Sequence, residues 1–183
     1  MSDFWVFGYG SLMWRPGFAY VEAVPAHLEG ERRAFCIQSH VYRGTPEKPG
    51  LVLGLDRGGS CRGIAFHVAE DDRDAVLAYL RERELVTNAY IEVERSVRLE
   101  RPSRDYVRVV TYVVDRRHPQ YAGDLAREAV LAQVRDSVGQ AGSNRDYVLA
   151  TAAHLAGLGI EDPELAWLAE QLNAGTAAGE PAA

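Results

Sequence analysis

Short apolar segments with alternating polar positions dominate the first two thirds of the chain. This pattern predicts strands at residues 5–9, 27–39, 51–56, 61–68, 89–99 and 106–114. The sequence DRGGS at residues 56–60 is a turn signal, so the third and fourth strands are predicted to form a β-hairpin. The turn sequence RPSRD at residues 101–105 predicts a second strand pair.

Helical spacing of apolar positions predicts one helix within this region and three more towards the C-terminus. The first covers residues 70–85 and opens with acidic side chains, which the helix dipole favours. Ser143 or Asn144 can cap the third. The last three are predicted at residues 124–138, 145–158 and 163–172. The fold class is therefore α+β, with a strongly curved sheet or small barrel and helices gathered around it.

The length of 183 residues suits one domain, which we place at residues 1–172. No internal repeat and no linker long enough to divide the chain is visible. Residues 173–183 consist largely of Ala, Gly, Thr, Glu and Pro, and are predicted to be a disordered tail.

Charge and cysteine usage narrow the class of protein. A net charge of -6 and only a small basic cluster, at Arg32, Arg33 and Arg43, argue against a nucleic-acid binder. No signal peptide or membrane span is visible. Cys36 and Cys61 have apolar neighbours, which predicts buried free thiols in a reducing compartment. We expect a cytoplasmic protein without membrane or nucleic-acid partners, whose oligomeric state the sequence leaves open.

The most informative segment is WVFGYGSLMW at residues 5–14, an apolar strand that breaks into Gly8-Tyr9-Gly10-Ser11. Two glycines around one aromatic residue let the backbone approach a ligand and leave N–H groups pointing outward. Such a loop can hold a carboxylate or a developing oxyanion. It lacks the lysine of a P-loop, the third glycine of a dinucleotide fingerprint and the G-x-S-x-G nucleophile elbow.

Metal and thiol chemistry find little support. The five histidines are scattered without paired spacing, and two separated cysteines do not form a zinc site, so no metal is expected. A nucleophilic role for Cys36 or Cys61 is disfavoured by their apolar neighbours.

Two carboxylates near the end of the first predicted helix are candidates for acid–base chemistry. Glu82 and Glu84 are two residues apart and project from nearly opposite sides of a helix, so at most one faces the core. Glu84 precedes Leu85 and Val86, where partial burial would raise a carboxyl pKa towards the range of a general base. A solvated charge run is the alternative reading.

Two further segments carry several polar groups. Residues 42–50, YRGTPEKPG, form a long polar turn region that could line the rim of a site or cover it as a lid. Residues 142–147, GSNRDY, open a helix and are either an ordinary capped N-terminus or part of a pocket.

Taken together, these segments resemble the ChaC family of γ-glutamylcyclotransferases. The resemblance spans roughly residues 4–172 and includes YLRERE at residues 79–84 and GSNRDYV at 142–148. Its remaining segments are WVFGYGSLMWRPGF at 5–18, RRAF at 32–35, YRGTPEKPG at 42–50 and CRGIA at 61–65.

The resemblance implies a small mixed β-barrel with surrounding helices and an intramolecular reaction. The α-amine of a γ-glutamyl group attacks its own γ-carbonyl, which releases 5-oxoproline and an amine; from glutathione, the usual substrate, the amine is cysteinylglycine. It further implies that Glu84 is the general acid/base and that the reaction requires no metal or other cofactor. The glutamyl moiety would be bound by Gly8, Tyr9, Gly10, Ser11 and Leu12, with a hydroxyl from Tyr147.

Three alternatives stay open at this stage. Glu82 could face the pocket in place of Glu84 if the helix ends in a different register. The substrate could be another γ-glutamyl amine or amino acid, since rim residues contact the leaving group. A non-catalytic γ-glutamyl-binding regulatory module would keep the loop but carry out no turnover.

Overall fold

Five strands form a closed barrel in the computed structural model, which describes residues 4–103 and 105–177. The strand order is β1-β3-β2-β4-β5. The strands are β1 (Phe4–Gly8), β2 (Glu22–Ser39), β3 (Gly50–Val68), β4 (Tyr90–Leu99) and β5 (Tyr106–Val114). Together with the helices described below, this confirms the predicted α+β class and small β-barrel.

The barrel is mixed because β1 has one antiparallel and one parallel neighbour. It pairs antiparallel with β3, ending at Gly8 opposite Ile64, and parallel with β5 through Val6 and Val110. Strands β4 and β5 pair antiparallel from Tyr90 opposite Val114, as the predicted second pair requires. Every residue of β1 is buried, which explains its continuous apolar sequence.

The predicted hairpin at residues 56–60 is wrong. The segments predicted as two strands form the single strand β3, which runs without a break from Gly50 to Val68. Gly58 and Gly59 adopt positive φ angles of 92° and 70° inside that strand. A glycine pair in a strand can absorb a local irregularity without reversing the chain, and here the turn signal has that meaning.

The helices match the predicted positions with shifted ends. They are α1 (Arg73–Glu84), α2 (Arg127–Asp136), α3 (Asn144–Gly157) and α4 (Pro163–Ala177). A short 3-10 turn, Glu70–Asp72, leads into α1. Two short strands, β6 (Val138–Gly139) and β7 (Gly142–Ser143), form a small sheet that the sequence did not predict. Helix α4 continues beyond the predicted tail boundary, and residues 178–183 of that tail lie outside the described residues.

The chain divides into two compact units. Among the described residues, the first contains 4–34, 53–103 and 105–121, and the second contains 35–52 and 122–177. The assignment of residues 1–172 to a single domain therefore stays a prediction.

Each unit has its own apolar interior. In the first, Trp5, Phe7, Leu28 and Leu55 belong to a buried cluster inside the barrel strands. In the second, helices α2, α3 and α4 contact one another. Cys36 and Cys61 are buried thiols that are not joined in a disulfide, as predicted. Among the described helices, none combines the length and apolar character needed to cross a membrane.

Candidate active site

The strand-end loop at residues 8–12 begins where β1 ends. A Cβ at Gly8 would lie 3.0 Å from the Leu12 Cβ, so any larger residue there would force the start of the turn to shift by a few tenths of an ångström. On the neighbouring strand, a Cβ at Gly63 would lie 2.3 Å from the Gly8 carbonyl oxygen. Glycines on two strands thus allow the close backbone approach from which the loop departs.

The loop leads into a 3-10 turn, Ser11–Met13. The first bond inside the turn runs from the Met13 N–H to the Gly10 carbonyl at 2.9 Å. The N–H groups of Ser11 and Leu12 precede that bond, so no carbonyl inside the turn accepts from them. Gly10 has no side chain with which to cap them. This arrangement can donate hydrogen bonds to a carboxylate or an oxyanion.

Among the side chains of the loop, those of Tyr9 and Leu12 are buried and that of Ser11 is exposed. Tyr9 is 8% exposed and belongs to the barrel core. The Tyr9 carbonyl accepts a 2.6 Å hydrogen bond from the Arg33 Nε of strand β2. The loop can therefore present backbone groups and the Ser11 hydroxyl to a ligand, while its larger side chains anchor it.

Glu84 is the last residue of α1, and its side chain is less exposed to solvent than that of Glu82. The Glu84 side chain is 20% exposed, whereas Glu82 is exposed to solvent. Burial raises the pKa of the Glu84 carboxyl, and the Arg83 guanidinium, with Nε 3.3 Å from the carboxylate, opposes that rise. The chain leaves the helix through a turn with Asn88 at a φ of 54°.

The residue before Glu84 links α1 to the loop. Arg83 donates through Nη2 to the Ser11 Oγ at 2.9 Å, and through Nη1 to the Arg15 carbonyl at 2.6 Å. The same Nη1 donates to the Tyr79 hydroxyl at 2.9 Å. Glu84 is thus next in the chain to a side chain that contacts the loop directly.

A buried tyrosine on β5 completes this group. The parallel register of β1 and β5, Val6 opposite Val110, places Tyr112 alongside Gly8, where the loop begins. Tyr112 donates to the Glu92 carboxylate of β4 at 3.0 Å, and Arg81 of α1 forms two hydrogen bonds with that carboxylate. Burial and Glu92 raise the pKa of Tyr112, with a further contribution from Glu84, so its hydroxyl stays protonated.

Tyr147, the remaining predicted site residue, lies in the second unit on α3. Its half-buried ring contacts the Phe35 ring edge-on, with centroids 6.4 Å apart, and carries the Arg43 guanidinium 5.2 Å from its centroid. Arg43 also donates to the Ala141 carbonyl at 2.6 Å. Within this unit, Tyr147 therefore anchors the predicted polar turn at residues 42–50, and its substrate role stays a prediction.

The start of α3 has both the predicted cap and an unpredicted backbone contact. The Ser143 hydroxyl accepts from the Asp146 N–H at 3.0 Å and is the cap. Asn144 is fully buried instead. Its Oδ1 accepts from the Leu51 N–H at 2.6 Å, and its Nδ2 donates to the Leu51 carbonyl at 2.8 Å. The side-chain amide thus satisfies both backbone polar groups of buried Leu51.

Three residues of the site were not predicted from sequence: Arg83, Arg33 and Tyr112. Arg83 and Arg33 stand inside the motifs RERE and RRAF, but charge alone gave them no role. Tyr112 looked like one more strand residue in YVRVVTYVV. Apart from Tyr79, which lies one helical turn before Arg83, the hydrogen-bond partners described for these residues are 20 or more positions away, so periodicity could not reveal them. In the described part of the chain, no three His, Cys, Asp or Glu side chains cluster as a metal site would require.

Comparison with known proteins was consistent across sequence and fold. The ChaC-like protein family matches residues 4–174. A glutathione-specific γ-glutamylcyclotransferase of Escherichia coli is 32% identical over 161 residues, covering 88% of this chain and 69% of that protein. The γ-glutamylcyclotransferase 2-3 of Arabidopsis thaliana is 34% identical, covering 92% and 87%.

Solved structures also match the fold over nearly the whole chain. The γ-glutamylcyclotransferase specific to glutathione from yeast superposes with a TM-score of 0.81, covering 94% of this chain and 96% of that one. Its sequence identity of 23% makes this a statement about fold alone.

Proposed function

The chain belongs to the ChaC-like family, and on that premise we propose that it is a γ-glutamylcyclotransferase degrading glutathione. The products are 5-oxoproline and cysteinylglycine. The observation that carries the proposal is a half-buried carboxylate, Glu84, adjoining the arginine that binds the loop at Ser11. Chemistry of this kind needs a positioned base beside a site that can bind the glutamyl end of a peptide.

The reaction asks little of the protein because both reacting groups belong to one molecule. Holding the glutamyl chain in its folded conformer supplies much of the rate acceleration. A bond forms between the glutamyl nitrogen and the γ-carbonyl carbon, and the bond from that carbon to the cysteinyl nitrogen breaks. Overall the α-ammonium group loses two protons, and the leaving nitrogen gains two.

Glu84 is suited to carry these protons in turn. Burial raises the pKa of its carboxyl, which makes the carboxylate a better acceptor than an exposed glutamate. The first proton removed frees the amine to attack. The carboxyl then protonates the departing nitrogen, so the same group acts first as base and then as acid.

The loop is proposed to bind the glutamyl end of the substrate. N–H groups of Ser11 and Leu12 can donate to its carboxylate or to the oxyanion that forms at the γ-carbonyl. Gly8 and Gly10 let the substrate approach the backbone, and Tyr9 contributes through its main chain because its ring lies in the core. Tyr147 is proposed to add a hydroxyl at the pocket.

Cys36 and Cys61 are buried and form no disulfide, which supports the proposal that the protein works in a reducing compartment such as the cytoplasm, where glutathione is abundant. We expect no cofactor and no nucleic-acid partner for this reaction.

A substrate panel tests the proposal. Purified protein is incubated with glutathione, γ-glutamyl-alanine or γ-glutamyl-lysine, and 5-oxoproline is measured by mass spectrometry. The proposal predicts the highest kcat/KM for glutathione. Preference for another γ-glutamyl compound would keep the reaction and change the substrate. Tight binding of glutathione with no product would instead indicate a binding module.

A further inference from the structure

Arg83 holds three separate groups of the first unit together. Its Nη2 reaches the Ser11 hydroxyl in the loop, and its Nη1 reaches the Arg15 carbonyl after the loop and the Tyr79 hydroxyl one helical turn earlier. We propose that Arg83 is a positioning residue that holds the glutamyl-binding loop in register with the Glu84 carboxylate. This proposal rests on the proposed function, since it assigns Arg83 a task in that reaction.

The Tyr79 hydroxyl, one of the acceptors of Arg83, is packed tightly against Gly17. Gly17 has a φ of 77°, and a Cβ there would lie 2.0 Å from the Tyr79 hydroxyl oxygen. The Tyr79 hydroxyl therefore sits in a space that only glycine leaves open. From that place it accepts from Arg83, whose side chain is 24% exposed. A planar guanidinium can donate to the Ser11 hydroxyl, the Arg15 carbonyl and the Tyr79 hydroxyl at the same time, and a lysine ammonium cannot reproduce these bonds.

Arg83 also supplies positive charge beside Glu84. The groups that act on the Glu84 carboxyl are Arg83 on α1, whose charge favours the ionised form, and Tyr112 on β5. Tyr112 is itself held by Glu92 of β4, which Arg81 pairs and neutralises. Tyr112 is neutral at neutral pH, and the charges of Arg81 and Glu92 cancel. Arg83 is therefore the charge that lowers the pKa of the Glu84 carboxyl against the effect of burial.

Two substitutions separate these contributions. Arg83→Lys keeps the positive charge but loses the forked contacts, so the loop loosens while Glu84 titrates nearly as before. Arg83→Met loses both, so the loop loosens and the Glu84 pKa rises. Arg73→Met is the matched control, since Arg73 lies at the start of the same helix and forms an exposed ion pair with Glu70.

Two measurements follow the variants without substrate. Carboxyl NMR titration gives the Glu84 pKa, and amide hydrogen exchange reports the loop through Met13 and Arg15, whose N–H groups bond to Gly10 and Ser11 carbonyls. Steady-state kinetics with glutathione are then recorded against pH. Because charged hydrogen bonds to the loop are lost, KM should rise roughly tenfold in both variants.

The expected result is faster loop exchange and a higher KM in both Arg83 variants, with the Glu84 titration and the acidic limb of the pH profile moving upward only in Arg83→Met. Arg73→Met should match the wild type. Unchanged loop exchange in Arg83→Lys, or an unchanged Glu84 titration in Arg83→Met, would overturn the proposal. If Arg83→Met does not fold, the proposal is decided by Arg83→Lys, Ser11→Ala and the double variant. Effects on KM that are not additive support the proposal that Arg83 holds the loop through Ser11, and additive effects refute it.

Failure of the proposed function is distinguishable from failure of this inference. A wild-type protein that forms no 5-oxoproline refutes the function. The substrate-free titration and exchange measurements then still decide whether Arg83 holds the loop and adjusts Glu84.

Discussion

Replacing Glu84 with glutamine is the sharpest perturbation that the site offers. The change keeps the shape of a side chain that is 20% exposed and removes its ability to accept a proton. Positioned general acid–base catalysis contributes roughly 10²- to 10⁴-fold in rate, so Glu84→Gln should raise the activation barrier by about 3 to 5 kcal/mol. We therefore expect near-complete loss of 5-oxoproline formation.

The fold should tolerate this change. Glu84 loses its ion pair with Arg83, but pairs that are partly exposed contribute about 1 kcal/mol or less. Arg83 keeps its bonds to Ser11, Arg15 and Tyr79. A neutral glutamine also has no charge to remove from water, so the free energy of unfolding at neutral pH should change little.

The assay compares Glu84→Gln with Glu82→Gln, an isosteric change at an exposed carboxylate two residues earlier. Both variants are checked for folding by circular dichroism and denaturant titration, and 5-oxoproline is measured under saturating glutathione. The reasoning predicts loss in Glu84→Gln and wild-type rates in Glu82→Gln. Activity that survives in the first and disappears in the second would refute the assignment of the base.

Three further outcomes follow from the structure. The kcat/KM should fall on acidification at a pH above the range of an exposed glutamate, because Glu84 acts as a carboxylate and burial raises its pKa; a limb at the ordinary range would contradict this. Because the pKa of Glu84 is raised in the folded protein, its protonated carboxyl contributes stability that is lost as pH rises through that pKa. Denaturant titrations at increasing pH should therefore show the free energy of unfolding of the wild type falling relative to that of Glu84→Gln. Asn144→Ala should lower the free energy of unfolding by roughly 2 to 5 kcal/mol, since both backbone groups of buried Leu51 lose their partner. An effect below 1 kcal/mol on denaturant titration would refute it.

Local sequence signals predicted the barrel strands and the position of α1 well, because burial on one face leaves a period that a short window can detect. These signals failed at a glycine pair, because glycines occur both in turns and at irregularities inside strands. Gly58 and Gly59 look like a hairpin turn, yet strand β3 passes through them. Pairing with strands on both sides decides that outcome, and partners distant in sequence are invisible to a local pattern.

The same limit applies to the site. Glu84 could be singled out because its apolar neighbours predict partial burial, and its intermediate exposure agrees with that reasoning. Arg83 could not, because its importance comes from Ser11 and Arg15, about seventy residues earlier in the chain. Tyr9 illustrates a third case: the loop was predicted as a binding element, but only the fold reveals that its ring belongs to the core.

The most direct test of the account follows the glutamyl nitrogen. Glutathione carrying ¹⁵N at the glutamyl α-amine is incubated with the protein, and the products are separated and analysed by NMR and mass spectrometry. Intramolecular attack predicts that all the label enters the lactam nitrogen of 5-oxoproline, with an equal amount of unlabelled cysteinylglycine. Label recovered in free glutamate, or glutathione left unchanged, would contradict it.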